Sequence, residues 1–283
     1  MRCLIIGCGY LGQRVAALLL ADGHEVCALT RSVTNAEKLQ SLGVSPIVGD
    51  VMQPDSLKFP PVDAVTYAVG MDRSSGYSKR QVYVDGLRNV LNRIQTTEKF
   101  IYVSSTAVYG QADGEWVDES SATEPVSEGG RICLEAEQAV RSVYPAATIV
   151  RLAGIYGPER LLRAVDSLRA EQPIAGNPDA YLNLIHVDDA AELVRCVVQS
   201  AIAPDYLLGA DGNPTTRHEY YSELARIVDA PAPVFDSTLP TRNSASGLNK
   251  RCRSKELSGL DGFELVYPSV AAGLPHAVEH SEF

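Results

Sequence analysis

The chain opens on an apolar run, Cys3-Leu4-Ile5-Ile6, and breaks into the turn Gly7-Cys8-Gly9-Tyr10-Leu11-Gly12. It resumes with apolar residues at helical spacing over 13–20 and returns to a short apolar run, Val26-Cys27-Ala28-Leu29. Short continuous apolar runs bounded by turn residues read as strands buried on both faces, and the 3.6-residue spacing between them reads as a helix. The alternation continues, with apolar runs at 46–48, 64–68, 100–103 and 147–150 and helical spacing at 34–42, 79–97 and 130–142. Strands that alternate with helices predict an α/β chain: a Rossmann-type, doubly wound parallel sheet with right-handed crossovers and a ligand cleft outside the carboxyl ends of its strands. From about Ile155 the pattern loosens, Pro and Gly recur (Gly157-Pro158, Pro173, Gly176, Pro178), and one helical return appears at 190–199. The expected division is a dinucleotide-binding domain over 1–155, rejoined by 187–205, and a smaller C-terminal substrate lobe built from 156–186 and 206–283 that closes over the cleft.

The first turn carries the GxGxxG spacing. Gly7 permits the tight turn, Gly9 lets the backbone approach a pyrophosphate, and Gly12 lets the helix sit close on the sheet. Tyr10 and Leu11 complete the cofactor-binding turn, and the helix that follows over 13–20 faces the phosphate charge with its N-terminus. The turn follows a predicted strand, opens a helix and is followed by a second strand, and that context separates dinucleotide binding from a structural glycine turn. An acid after the second strand would bond the ribose hydroxyls of NAD; this chain has Thr30, Arg31 and Ser32 there. Arg31 is a fixed cation able to fork onto a 2′-phosphate, with the hydroxyls of Thr30 and Ser32 as further donors, so the expected cofactor is NADP in preference to NAD. The competing reading of Arg31 is a solvated surface side chain.

Composition narrows the partners. The 283 residues are 45% apolar and 21% charged, and 35 Asp and Glu stand against 25 Lys and Arg. Such a chain can bury a full core, and its acidic balance argues against nucleic acid or an anionic membrane as the main partner, leaving a small-molecule substrate. One stretch runs against that balance: Arg242, Lys250, Arg251, Arg253 and Lys255 fall within 241–255, which holds no acid. It reads either as a contact for an anionic substrate group or as a solvated basic loop. The six cysteines, at 3, 8, 27, 133, 196 and 252, form no CxxC and no metal-ligand spacing, and they read as small core residues of a reducing compartment. Gln13 and Arg14 interrupt the first apolar stretch, so it is not read as a signal peptide, and the expected location is cytoplasmic. His186 with Asp188 and Asp189 reads as a strand leading into an aspartate-capped helix, and no metal is expected.

Four further segments fall at predicted strand ends: Val48-Gly49-Asp50-Val51, the run from Tyr102 through Ser104-Ser105 to Tyr109-Gly110, Arg151-Leu152-Ala153-Gly154-Ile155-Tyr156-Gly157-Pro158, and Leu184-Ile185-His186-Val187-Asp188-Asp189-Ala190-Ala191. With the glycine turn they span nearly the whole chain, and in this order the sequence resembles the extended short-chain dehydrogenase/reductases, the NAD-dependent epimerase/dehydratase group. The resemblance implies that Asp50 and Val51 flank the adenine, that Ala68, Val69, Gly70 and Ser104 line the cofactor's path, and that Ser105 polarises a substrate carbonyl or hydroxyl. Asp50 and Ser105 also admit a plainer reading, as side chains that cap nearby backbone amides.

The group's proton transfer rests on a Tyr with a Lys four residues later on one helix. In the matching stretch, Glu124 to Glu137, the resemblance puts Gly129 where the Tyr stands and Cys133 where the Lys stands. A glycine has no side chain and a buried thiol supplies no fixed positive charge. Two asparagine positions of the group are likewise Tyr83 and Gly154. Replacement proton donors that reach the cleft are Tyr83, Tyr109, Glu128 and Cys133; Tyr83 has the best claim because its position faces the cleft in relatives, against the alternative of an aromatic packed on a helix face. The tail, Tyr220 to Ala225, Asn249-Lys250-Arg251 and Tyr267-Pro268-Ser269, resembles the substrate lobe of an atypical branch, which implies Lys250 and Arg251 as anion contacts. The expected activity is an NADP-preferring oxidoreductase or epimerase-like enzyme on a small polar, phosphorylated or sugar-type substrate; the alternative is a dinucleotide-binding redox sensor or scaffold without hydride chemistry. Relatives pair through the helices near 79–97 and 130–142, which suggests a homodimer.

Overall fold

The computed structural model describes residues 1–95, 97–239 and 249–282. Seven parallel strands form the large sheet: β1 (Arg2–Ile6), β2 (Glu25–Thr30), β3 (Ser45–Val48), β4 (Ala64–Tyr67), β5 (Lys99–Ser105), β6 (Thr148–Leu152) and β7 (Tyr206–Gly209), in the spatial order β7-β6-β5-β4-β1-β2-β3. The helices are α1 (Tyr10–Ala21), α2 (Val33–Ser41), α3 (Gly86–Leu91), α4 (Glu128–Val143), α5 (Leu162–Arg169), α6 (Val187–Gln199), α7 (Arg217–Ile227) and α8 (Val270–Glu279). The order reverses between β1 and β4, which is where a doubly wound sheet opens its cleft.

Strand alternation divides the core in two. On β1, Cys3 and Ile5 face α1 and α6, against Val15, Leu19, Leu193 and Val197, while Leu4 and Ile6 face α3 and α4, against Leu87, Val90, Ile132 and Val140. Leu4, Ile5 and Ile6 are fully buried, each worth about 2 kcal/mol of hydrophobic stabilisation. The strand assigned to the smaller lobe at 206–209 instead closes the large sheet beside β6, because Tyr206-Leu207-Leu208-Gly209 runs apolar and pairs in register with Ile149–Leu152. A separate core of Tyr156, Leu161, Val165, Tyr220, Leu224 and Leu274 joins α5, α7 and α8 beyond the carboxyl edge.

The helix expected over 79–97 ends at Leu91, and its course is interrupted by a π-turn at Gln81–Asp85 that carries Tyr83. Among the described residues no helix is long and apolar enough to cross a membrane.

Candidate active site

Register aligns the strand ends. Ile6 lies opposite both Leu29 and Tyr67, Ser105 opposite Leu152, and Leu152 opposite Gly209. Gly7, Ala68, Ser105, Ala153 and Ala210 therefore leave the sheet along one edge.

The β1–β2–β4 half of that edge is built from backbone. Gly7 has φ 96, and a Cβ there would overlap the Ala68 carbonyl and the Val69 nitrogen. A Cβ on Gly12 would stand 2.5 Å from the Gly7 oxygen, so both glycines are close-approach positions. Gly9 is different: a Cβ there meets nothing within 4 Å. Gly9 is also the N-cap of α1, which has no side-chain cap and no acid in its first turn. An uncapped helix start, with free N–H groups facing open space, fits a pyrophosphate. Tyr10 sends its hydroxyl to the Pro158 carbonyl at 2.7 Å, while Leu11 is buried in the core.

Around the adenosine end the expected residues are brought together with other duties. Ser32 caps α2 by accepting from the Asn35 amide at 3.1 Å, and Thr30 ends β2 with its carbonyl accepting from Gly49. Asp50 Oδ1 accepts from the Met52 amide at 2.9 Å, the plainer capping reading, while Val51 is buried and takes the Asn89 carboxamide on its carbonyl. Arg31 donates to Asp72 at 2.6 Å, from the loop that continues Ala68-Val69-Gly70. Asp72 is held down to about 2, first by the Ser74 hydroxyl and then by Arg31 and the Ser74 amide.

The β5–β6–β7 half is crowded with polar side chains. Ser104 faces inward, and its hydroxyl donates to Glu137 at 2.6 Å, so it is a core residue rather than a liner of the cofactor path; the neighbouring Ser105 faces the opposite side, as strand alternation requires. Glu137 completes a buried pair with Arg151 at 2.7 Å, and Arg151 also donates to the Tyr109 hydroxyl at 3.0 Å. Tyr109, with no exposure and its phenol pushed up to about 12 by burial, is thereby fixed in the core. Ser105 Oγ accepts from the Ala107 amide at 3.2 Å, which leaves its O–H proton free to donate.

The short strand Lys250–Cys252 pairs with Glu115–Val117 and lies across this edge: Cys252 packs with Val108, Tyr109, Ala153, Leu208 and Ala210, and it meets the Thr106 hydroxyl. Asn183 clamps the strand, donating to the Lys250 carbonyl at 2.9 Å and accepting from the Cys252 amide at 2.6 Å. Alternation parts the two expected anion contacts. Lys250 turns inward and is 6% exposed, whereas Arg251 turns outward, donates to the Gly114 carbonyl and stacks with its guanidinium 4.8 Å from the Trp116 ring centre. The two cannot grip one anion together. Arg253 stacks on the same indole; Arg242 lies outside the described residues.

Gly129 and Cys133 sit in the first two turns of α4. A Cβ on Gly129 would stand 2.7 Å from Lys79 Nζ, a residue the sequence reading passed over. Glu128 is exposed, and burial pushes the Cys133 thiol up. Tyr83, half-buried, packs against both the cluster that holds Tyr67 and Tyr102 and the cluster that holds Cys133.

The chain matches the family described as NAD dependent epimerase/dehydratase over residues 3–209. It belongs to the NAD-dependent epimerase/dehydratase family. Among curated relatives, a quinoline-oxide ketoreductase of Stigmatella aurantiaca is 26% identical over 86% of this chain and 78% of its own. Among solved structures, UDP-glucuronic acid 4-epimerase from Bacillus cereus, in complex with UDP-glucuronic acid and NAD, superposes with a TM-score of 0.79 at 18% identity, covering 99% of this chain and 98% of the other. The human epimerase family protein SDR39U1, with NADPH, gives 0.81 at 18% identity over 99% of each chain. The two solved structures share the fold; one held NAD and the other NADPH.

One local expectation for this epimerase/dehydratase chain is corrected. The N-cap of α6 is His186, whose Nδ1 accepts from the Asp188 amide at 3.2 Å, and not an aspartate; Asp188 pairs with Arg14 at 2.9 Å, and Asp189 accepts from the Val266 and Tyr267 amides. His276 joins from α8, with its Nδ1 3.3 Å from His186 Nε2, so that ligand-type atoms of His186, Asp188 and His276 lie within 4.8 Å of one another. Both ring nitrogens of His186 are thus engaged, and burial pulls it down to about 4.

Proposed function

We propose that the chain is an NADP-preferring oxidoreductase or epimerase-type enzyme acting on a small, anionic polar substrate of the phosphorylated or sugar-acid kind. The observation that carries this reading is Lys250. The residue is 6% exposed, and among the described residues no carboxylate pairs with its ammonium. Burial pulls its pKa down, the expected response of a cation removed from water without a partner. A ligand anion would supply the missing charge, and the strand that carries Lys250 lies across the strand ends where a substrate would sit.

A bound nicotinamide dinucleotide supplies or accepts the hydride. The chain's own residues do the rest. The free N–H groups at the start of α1 take the pyrophosphate, Arg31 takes the 2′-phosphate in exchange for Asp72, and Lys250 anchors the substrate's anionic group. Ser105 donates its free proton to the reacting oxygen, and Tyr83 exchanges the proton that reduction or oxidation requires. The test is a titration with NADPH and NADH followed through the single tryptophan, Trp116. Tighter NADPH binding, with the preference lost in Arg31→Ala, is the expected result. Equal affinities in the unmodified chain would remove the NADP preference, and no binding of either would remove the enzyme reading altogether.

A further inference from the structure

A proton donor in this cleft must leave a charge behind when it reacts, and the α4 group that bears on the Tyr83 phenol is the uncharged Cys133 thiol. The cation comes from elsewhere. Lys79 stands four residues before Tyr83 at the head of the same helical stretch, with its ammonium 5.2 Å from the Tyr83 ring centre. It occupies the space that any side chain on Gly129 would fill, with Nζ 2.7 Å from where a Cβ would be. Among the described residues no carboxylate lies within ion-pair distance of Lys79, so its charge is not neutralised by the protein. The π-turn at Gln81–Asp85 widens the backbone at this point, a distortion that recurs at functional sites.

We infer that Lys79 and Tyr83 form the proton-exchange pair of this cleft, with Lys79 as the positioning cation and Gly129 and Cys133 as the small residues that admit it. The inference rests on the oxidoreductase reading and names its acid. Reduction of a carbonyl to an alcohol adds a hydride to carbon, from the reduced dinucleotide, and a proton to oxygen, from the Tyr83 phenol; the phenolate left behind is stabilised by the Lys79 ammonium until it takes a proton from water. The other groups facing Tyr83 are the Cys133 thiol of α4, the Tyr67 and Tyr102 phenols of β4 and β5, and the Met71 amide. Burial first and then the Cys133 thiol push the Tyr83 phenol up and the Met71 amide opposes them; the thiol and the two phenols carry no positive charge, and the cation that stands over the Tyr83 ring is Lys79.

The experiment places a trifluorotyrosine at position 83, whose phenol titrates near neutrality and can be followed by absorbance apart from the other tyrosines. Removing the ammonium with Lys79→Met should weaken that phenol as an acid by on the order of 100-fold, the size of a unit charge acting over about 5–7 Å at an effective dielectric near 20. Lys79→Arg should keep most of the effect. Gly129→Ala should move the titration in the same direction as Lys79→Met by pushing the ammonium aside, at little structural cost because the displaced atom is the tip of a flexible chain. An unchanged titration in both Lys79→Met and Gly129→Ala overturns the pairing. This readout needs no ligand, so its failure is distinct from a failure to bind dinucleotide, which would overturn the functional reading and the pair's duty with it.

Discussion

The two halves of one sheet edge are built by opposite means. On the β1–β2–β4 side the fitting groups are backbone: three glycines, an uncapped helix start and a loop that passes close to them. On the β5–β6–β7 side they are buried side chains, Glu137 with Arg151, Lys250, Asp211, His186 and Asp189. Backbone sites are set by shape, and at Gly7 and Gly12 that shape leaves no room for an added atom. Side-chain sites are set by charge, and their cost and their usefulness both vary with pH.

The largest expected effect tests the backbone half. Gly7→Ala puts a methyl into the Ala68 carbonyl at φ 96 and should cost about 3–5 kcal/mol of stability and at least roughly 100-fold in dinucleotide affinity. Gly9→Ala breaks the parallel between the glycines: its Cβ meets no protein atom, so stability should stay within about 0.5 kcal/mol, while affinity falls because the methyl faces the pyrophosphate. Urea melts paired with NADPH titrations separate the two. Equal stability losses at both positions would show that the turn is fixed as a whole and that Gly9 has no special relation to a ligand.

Asp211 tests the charged half. It follows β7, is 4% exposed, accepts from the Asn213 amide with one oxygen and has no hydrogen-bond partner for the other. Burial first, with the nearby Asp189 adding to it, pushes its pKa from 3.8 up to about 7. The folded chain therefore holds this proton more tightly than the unfolded chain does. Stability from Asp211 is greatest below pH 4 and falls as pH rises from about 4 through about 7. Asp211→Asn, which cannot ionise, should raise stability by about 2–4 kcal/mol at pH 8 and change it little at pH 4. Denaturant midpoints across that range decide it; a gain independent of pH would mean the carboxyl is not the titrating group.

The same contrast explains what could be read from the chain. The glycine turn and the run of strands follow from local spacing, because each is encoded within a few neighbouring residues, and the parallel doubly wound class follows from their alternation with helices. Ser104 and Ser105 were separable only through strand alternation, and the same rule parts Lys250 from Arg251 once 250–252 is known to be a strand; a basic run inside a loop-like stretch gives no period to read. His276 reaches His186 across 90 residues, and Asn183 clamps Lys250 across 67, contacts that no local pattern announces. Lys79 lay nearer to legibility. Its four-residue spacing from Tyr83 is a helical one, and the missing step was that Gly129 leaves a space for its ammonium.

The smallest expected effect returns to the backbone half, at a place where it uses an ion pair. Arg31 is half exposed and already paired with Asp72 at 2.6 Å, a carboxylate that stays ionised at any physiological pH because its pKa is held down to about 2. A 2′-phosphate must take the guanidinium from Asp72 or lie beside a like charge, so Asp72 opposes NADPH while leaving NADH nearly untouched. Asp72→Asn should raise the ratio of NADPH to NADH affinity by roughly threefold at low ionic strength, and the gain should shrink as salt screens the exposed charges. Paired titrations at two salt concentrations measure it. A ratio that falls in Asp72→Asn would mean that the carboxylate orients Arg31 for the phosphate instead of competing with it, and the two halves of the edge would then share a rule: a charge is useful only where another side chain holds it in place.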